Sequence, residues 1–404
     1  MSQQTQFICY QPKTILNKGK RADHWFWTRY GAYPYLGCQH GCAFCYSRER
    51  KYIPHKPQDP AAIYDFKKDE FAHLIKVKEN APQLLRKALS RVPVDMVFTG
   101  DYQAVERKFK LSRQMLTVCL ELGFPVFVLT RSPLVLRDLD ILTAINERSR
   151  AVVAFSIIAT PESPDYLAIS KLEGLSPSSD KRFAAMEEIA KMGILTGMVA
   201  MPLLPGLCDN QPNLELLATW TAAHGGSFVL GGGLTLADQQ KEFFLRILAR
   251  NHPDLIPLYT RLYPPGSYAQ AQSWRPVGLH IHEYCQQTGI SSRIPRPIIP
   301  GEKRQLNKRV VEKLAYKLYM LELEDSRADR IWAYRKASWA VEDLDQDIGL
   351  IYSAMGIKGL AGLPGISLPL AKEIEEMIVA ERSSAISLPA DTAPPIRPGY
   401  SWGG

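Results

Sequence analysis

The sequence predicts an α/β protein, a barrel or part of one, followed by a small all-helical domain. Three observations carry this: short apolar runs recur along the first 290 residues, each gives way to a segment of helical period, and beyond residue 290 only helical spacing remains.

The elements follow in order. A run over 94–99 precedes a helical pattern over 111–122, the run 126–130 precedes a helix near 134–145, and the run 151–158 precedes one over 181–192. Further strands are expected at 196–201 and 227–230. In barrels of such units the loops after the C-terminal strand ends carry the chemistry, which directs attention to 99–106, 130–131, 156–162 and 202–209.

Composition sets the outer limits. With 46% apolar and 22% charged side chains over 404 residues, the chain is globular and long enough for two or three domains, which excludes whole-chain disorder, collagen and coiled coil. Forty-nine basic against forty-one acidic residues give a net charge of +8, which permits a polyanionic partner without requiring one. No stretch approaches eighteen consecutive apolar residues and the first residues lack a signal-peptide pattern, so a cytoplasmic protein with no membrane partner is expected.

The first thirty residues mix basic and aromatic side chains, among them Lys18, Arg21, Trp25, Trp27 and Arg29, and read as an N-terminal extension, 1–30, ahead of the barrel at 31–290. Three prolines and a glycine within 293–301 mark a Pro-rich basic linker over 291–305. Eight basic and two acidic residues lie between 293 and 317, a local +6 that is either a solvated helix face or a phosphate-facing patch, with Lys303, Arg304, Lys308 and Arg309 as its candidates. Helical spacing over 306–323 and 329–344 opens an all-helical domain over 306–390, and 391–404 reads as a disordered tail.

The seven cysteines are odd in number and three crowd between positions 38 and 45, which argues for ligands rather than crosslinks. Cys38, Cys42 and Cys45 sit close enough to wrap one metal centre yet are one short of the four protein ligands of a closed site, so an open coordination position is implied. A zinc site completed by His40 is a competing reading, although a histidine between the first two cysteines crowds the chelate ring; a redox-sensing thiol cluster is another. Phe44 and Tyr46 flank the last cysteine as walls that would shield a cluster and tune its potential. Cys9, Cys119, Cys208 and Cys285 read as structural.

The C-x3-C-x2-C spacing resembles that of the radical S-adenosylmethionine superfamily. More closely, Ile15-Leu-Asn-Lys18, Tyr35-Leu-Gly-Cys38-Gln-His40-Gly-Cys42-Ala-Phe-Cys45-Tyr46-Ser-Arg48, Val77-Lys78-Glu-Asn80, Thr130-Arg-Ser132 and Leu136-Arg-Asp138 resemble the spore photoproduct lyase-like group of DNA repair lyases. The resemblance runs from about residue 13 to 295. It implies a partial (β/α)6-type barrel of the radical S-adenosylmethionine kind and a [4Fe–4S] cluster on Cys38, Cys42 and Cys45 with S-adenosyl-L-methionine on the free iron. A flavodoxin- or ferredoxin-type electron donor is implied with it.

The same resemblance implies that strand-end residues hold the methionine and ribose parts of the cofactor. Asp101 or Glu106 would take its ammonium, Arg131 its carboxylate at a place where the group tends to have lysine, and Ser156 a ribose hydroxyl or the carboxylate; Arg182 has a similar claim. Each also has a plainer reading as a cap, turn or surface residue. The group carries a hydrogen-donating cysteine at a place held here by Phe98 or a neighbour, and no cysteine lies between Cys45 and Cys119. That departs from photoproduct reversal and leaves Tyr102 as the candidate substitute donor.

The stretch from Trp332 to Leu344, with Gly359 to Ile374, resembles the helix-hairpin-helix domains of X-family DNA polymerases, with Ser367 in place of a second glycine. It implies sequence-independent phosphate binding by the backbone at Gly365 and Ile366. The expectation is a lyase-like radical S-adenosylmethionine enzyme acting on DNA, such as a damaged base. Competing readings are the same chemistry on RNA, a peptide or a metabolite, or a non-catalytic iron–sulfur or zinc DNA-binding protein.

Overall fold

The computed structural model describes residues 5–52, 70–264 and 271–387, so the expected tail over 391–404 lies outside the described residues. The chain divides into two compact units, Met1–Glu302 with Met320–Ser326, and Lys303–Tyr319 with Arg327–Gly404.

The first unit carries ten strands among its described residues. They are β1 (Gln6–Tyr10), β2 (Asn17–Lys18), β3 (Tyr30–Gly31), β4 (Tyr35–Leu36), β5 (Leu74–Lys78), β6 (Val97–Phe98), β7 (Val126–Thr130), β8 (Ala151–Ser156), β9 (Leu195–Leu203) and β10 (Val229–Gly233). Seven form one sheet in the order β10-β9-β8-β7-β6-β3-β2. The neighbours from β3 to β10 pair in parallel, and β2 alone runs antiparallel to β3. The sheet curls into a half-barrel with six parallel strands, as expected of a partial (β/α)6-type barrel. Helices Leu111–Leu122, Leu139–Arg148, Ser179–Lys191 and Gln211–Ala223 fill the crossovers from β6 to β10. Every residue of β8, Ala-Val-Val-Ala-Phe-Ser, is buried, as a parallel strand covered on both faces requires.

Differences from expectation have local causes. The helix expected near 134–145 opens as a 3-10 stretch, Pro133–Asp138, before Leu139–Arg148, because Pro133 favours a helix start and the Ser132 hydroxyl accepts the Leu134 N–H at 3.2 Å. The first thirty residues are no extension. β1 pairs in parallel with β5, β3 extends the barrel sheet beside β6, and Ile15, Trp27 and Tyr30 are buried.

The expected linker is also part of the first unit at its start. Val229 N–H donates to Ser291 at 2.9 Å, and Ser292, Arg293, Ile294 and Arg296 are buried. The Trp27 indole donates to Ile294 O at 2.8 Å, while the Arg296 and Arg293 guanidinium groups lie 4.8 and 4.6 Å from the ring centres of Trp27 and Trp25. Two of the eight basic residues counted toward the +6 stretch are therefore spent inside the fold as cation–π partners.

The described part of the second unit is all helical: Gln305–Leu323 up to residue 319, Ala328–Glu342, Ile348–Ala361 and Leu368–Ser387. Its basic residues are largely used internally. Lys313 pairs with Glu381 at 2.7 Å, Lys317 with Glu373 at 3.1 Å and Arg309 with Glu312 at 2.7 Å, while Arg304 donates to Leu344 O at 3.2 Å and Lys308 is buried; Lys303 is exposed. The last two helices are joined by a tight turn in which Gly365 takes a φ of +75°, a value that favours glycine. Ile366, expected to offer its N–H to a phosphate, instead donates it to Leu363 O at 3.2 Å and buries its side chain. Among the described residues no helix is long and apolar enough to cross a membrane.

Candidate active site

The C-terminal ends of the barrel strands open on one cavity of about 820 Å3, the size of a small-molecule site. Phe98 of β6, Thr130 of β7, Ser156 of β8, Met201 of β9 and Gly233 of β10 supply its floor, and the loop 38–46 supplies one wall.

That loop is stitched down from several sides. The Arg48 guanidinium is buried between the rings of Phe71 and Phe243, at 4.5 and 4.0 Å, and donates to the carbonyls of Cys42 and Gly41 at 2.8 and 2.9 Å. The Gln103 side chain accepts from Gln39 N–H at 2.9 Å and donates to Gly37 O at 3.1 Å, and Gln240 donates to Phe44 O at 3.0 Å. Across the loop runs the segment 172–176. Ala43 N–H donates to Leu172 O at 2.8 Å, Leu175 N–H to His40 O at 2.7 Å, and the Cys42 thiol to Glu173 O at 3.3 Å. Gly174 is required there, because its φ is +65° and a Cβ would come within 2.4 Å of His40 O.

Cys38, Cys42 and Cys45 all line the cavity. Among the described residues no three His, Cys, Asp or Glu side chains are grouped tightly enough to hold a single metal ion. Three soft sulfur donors facing one chamber, with no further protein ligand needed, are the donor set a three-cysteine iron–sulfur cluster takes. Burial pushes the thiols of Cys38 and Cys45 up, and neighbouring negative charge adds to the effect, so the pocket by itself disfavours a thiolate and one forms there only against a cation. His40 also lines the cavity, its imidazole lowered to about 4 by burial and by the Arg131 charge.

The other expected residues separate into two groups. Asp101, Tyr102, Arg131 and Ser156 are on the cavity wall. The Asp101 carboxyl is pushed up to about 7, chiefly by burial, while Gln103 donates to it at 3.0 Å. Arg131 stands 5.4 Å from the Phe44 ring centre and pairs with Glu173; Ser156 Oγ donates to Met201 O at 3.2 Å. Tyr102 gives its hydroxyl to Asp138 at 2.9 Å, and Asp138 is held in turn by Arg113 at 3.0 Å and Arg137 at 2.7 Å.

Glu106 and Arg182 lie behind the wall. Glu106 is fully buried and takes Arg137 at 2.8 Å, the Ser112 N–H at 3.0 Å and the Tyr35 hydroxyl. Arg182 donates to Ser156 O at 2.7 Å and pairs with both oxygens of Glu173. Glu173, missed by the sequence reading, is thus the shared anion of two buried arginines. It sits in a short non-periodic turn after a helix, where nothing in the spacing distinguishes it from a surface acid.

No family model matches the chain. An uncharacterized protein of Mycobacterium tuberculosis is 28% identical over 248 residues, covering 59% of this chain and 68% of its own, and an uncharacterized protein of Methanocaldococcus jannaschii is 27% identical over 176 residues, covering 43% and 60%. Among solved structures, a point mutant of spore photoproduct lyase aligns with a TM-score of 0.50 at 15% identity, covering 70% of this chain and 79% of that one. The chain has the fold of spore photoproduct lyase. The cysteine loop follows β4, and the cavity occupies the strand-end position where α/β barrels place their chemistry.

Proposed function

We propose that the protein is a radical S-adenosylmethionine enzyme that acts on DNA. The observation that supports this most is that Cys38, Cys42 and Cys45, spaced C-x3-C-x2-C, share one strand-end chamber with Asp101, Arg131 and Ser156. Spore photoproduct lyase, whose fold the chain shares, is by its name a lyase of a photoproduct.

When bound, the cluster and S-adenosylmethionine supply a 5′-deoxyadenosyl radical able to take a hydrogen atom from an unactivated carbon. The chain's own residues bind and orient. Cys38, Cys42 and Cys45 would hold the cluster as thiolates, the Asp101 carboxylate would take the ammonium, the Arg131 guanidinium the carboxylate, and the Ser156 hydroxyl a ribose oxygen. Phe44, Phe98 and Leu129 in the lining would keep water from the reacting atoms. The electron comes from a flavodoxin- or ferredoxin-type donor.

The hydrogen-donor role expected of Tyr102 meets a geometric obstacle, since its O–H is given to the buried Asp138. A Tyr102→Phe enzyme is expected to keep its product yield, read by chromatography of the reacted substrate; a yield that collapses with unchanged cofactor cleavage would restore Tyr102 as donor.

The test of the whole reading is release of 5′-deoxyadenosine by anaerobically reconstituted protein with a strong reductant, with and without ultraviolet-irradiated DNA. Release is expected to rise with the irradiated DNA and to vanish in Cys42→Ala. Release that persists in Cys42→Ala would overturn the cluster assignment, and release indifferent to DNA would remove the substrate.

A further inference from the structure

A single side chain ties the cysteine loop to the acid beside it. Gln103, in the loop after β6, is 1% exposed and stands outside the cavity lining, so it can act there only through its neighbours. Its amide oxygen accepts the Gln39 N–H at 2.9 Å, and its amide nitrogen donates to Gly37 O at 3.1 Å and to the Asp101 carboxylate at 3.0 Å. Gly37 and Gln39 are the residues on either side of Cys38. One amide therefore brackets a thiol of the cavity and holds an acid that lines the same cavity.

The chemistry of the three partners selects this side chain. A backbone N–H needs an acceptor, while a carbonyl and a carboxylate need donors, and among long side chains only an amide offers an oxygen to the first and two N–H groups to the others. Both ends of the tie are anchored. Gln39 returns the contact by accepting the Val105 N–H with its own side chain, and Cys38 N–H donates to Phe71 O at 3.1 Å. The Ser112 hydroxyl accepts the Asp101 N–H at 3.0 Å and donates to Asp101 O at 2.9 Å.

With its backbone fixed by Ser112 and one carboxylate oxygen by Gln103, Asp101 keeps its other oxygen without a hydrogen bond among the described residues. The Gln103 donation also favours the carboxylate over the acid, against the burial that pushes the group up. We propose, resting on the chamber assigned above, that Gln103 is the positioning residue for the amino end of the cofactor: it fixes the Asp101 carboxylate at a set offset from Cys38, so that one ligand meets the acid and the cluster together. Such an offset is worth fixing because a chelating ligand gains affinity only where its two anchoring points are already spaced to receive it.

The test measures binding of S-adenosylmethionine to the anaerobically reconstituted full chain by equilibrium dialysis, without reductant so that the ligand is not consumed. Asp101→Ala is expected to weaken binding about tenfold or more. Gln103→Met, which fills the same space without the amide, is expected to weaken it about tenfold. If Gln103 acts through Asp101, the double variant binds within about twofold of Asp101→Ala alone. Gln103→Asn keeps an amide but is one methylene too short to reach all three partners, and is expected to fall between wild type and Gln103→Met. Binding of 5′-methylthioadenosine, which lacks the amino and carboxylate groups, is expected to be the same in every variant. Iron content and thermal melting report loading and folding.

Losses that multiply to about a hundredfold in the double variant overturn the proposal. So does weaker binding of 5′-methylthioadenosine to Gln103→Met, which marks a general loosening of the chamber. Should Gln103→Met fail to load iron, Gln103→Asn carries the comparison, and failure of both to load assigns Gln103 to the cysteine loop alone and overturns the role. An iron-loaded wild type that binds no S-adenosylmethionine removes the enzyme reading and this role with it. Binding by the wild type with multiplying losses keeps the enzyme reading and removes only the role of Gln103.

Discussion

Glu173→Gln is expected to destabilise the first unit by roughly 3–5 kcal/mol, because it removes the one carboxylate shared by two buried arginines and leaves both guanidinium groups without a counter-charge. Denaturant unfolding of the apo-protein measures this directly. The effect has a defined pH dependence. Burial alone would raise the Glu173 carboxyl, but the charges of Arg182 and Arg131 outweigh it and hold the group below its ordinary value. A carboxyl depressed in the fold contributes its full stability above its unfolded pKa, about 4.3, and loses it as pH falls through the lower folded value. The gap between wild type and variant is expected to be constant near neutrality and to close in acid. A gap that widens in acid would contradict the assignment of the carboxylate as the stabilising form.

Glu173→Gln is also expected to reduce iron uptake, since Glu173 O and its neighbours hold His40, Cys42 and Ala43 in place.

Arg48→Ala is expected to act on the same loop from the other side. It removes the guanidinium donor from the Gly41 carbonyl, at roughly 1–3 kcal/mol, leaves the Cys42 carbonyl only the Cys45 N–H at 3.4 Å, and opens a gap between Phe71 and Phe243. Iron and sulfide analysis after anaerobic reconstitution is expected to show substoichiometric loading, with Arg48→Lys recovering little because an ammonium cannot reach both carbonyls in one plane. Full loading of Arg48→Ala would show that the three thiols need no such support.

The parts of the fold legible in the sequence are those whose burial leaves a continuous apolar run. β7 and β8 were read within two residues of their observed ends because every residue from Val126 to Val128 and from Ala151 to Ser156 faces protein. β2 and β3, two residues each, have no room for a pattern, so the start of the barrel was read as an appendage. Prolines at 295, 297 and 300 suggested a linker, but a proline-rich strip packs well where its carbonyls find a donor such as the Trp27 indole.

The site divides the same way. Cysteine spacing is a local property and singled out Cys38, Cys42 and Cys45; Asp101, Arg131 and Ser156 were singled out by following strands, and all six line the cavity. Glu106 also follows a strand, and Arg182 opens a helix, yet both turn away from the chamber, Glu106 to Arg137 and Arg182 to Glu173. Arg48 and Glu173 act through such partners alone, and no local pattern marks them.

The bond from the Trp27 indole to Ile294 spans 267 residues of sequence. A contact of such separation forms only after the intervening chain has been made, which at about 5–20 residues per second is roughly 13–53 s after Trp27 itself is synthesised. Through that interval the nascent barrel carries Trp27 without its acceptor and Tyr30 at a sheet edge whose far end is not yet built. The segment around Trp27 is therefore sealed only once Ile294 is made, and a chaperone that shields aromatic residues through that interval would find its client there.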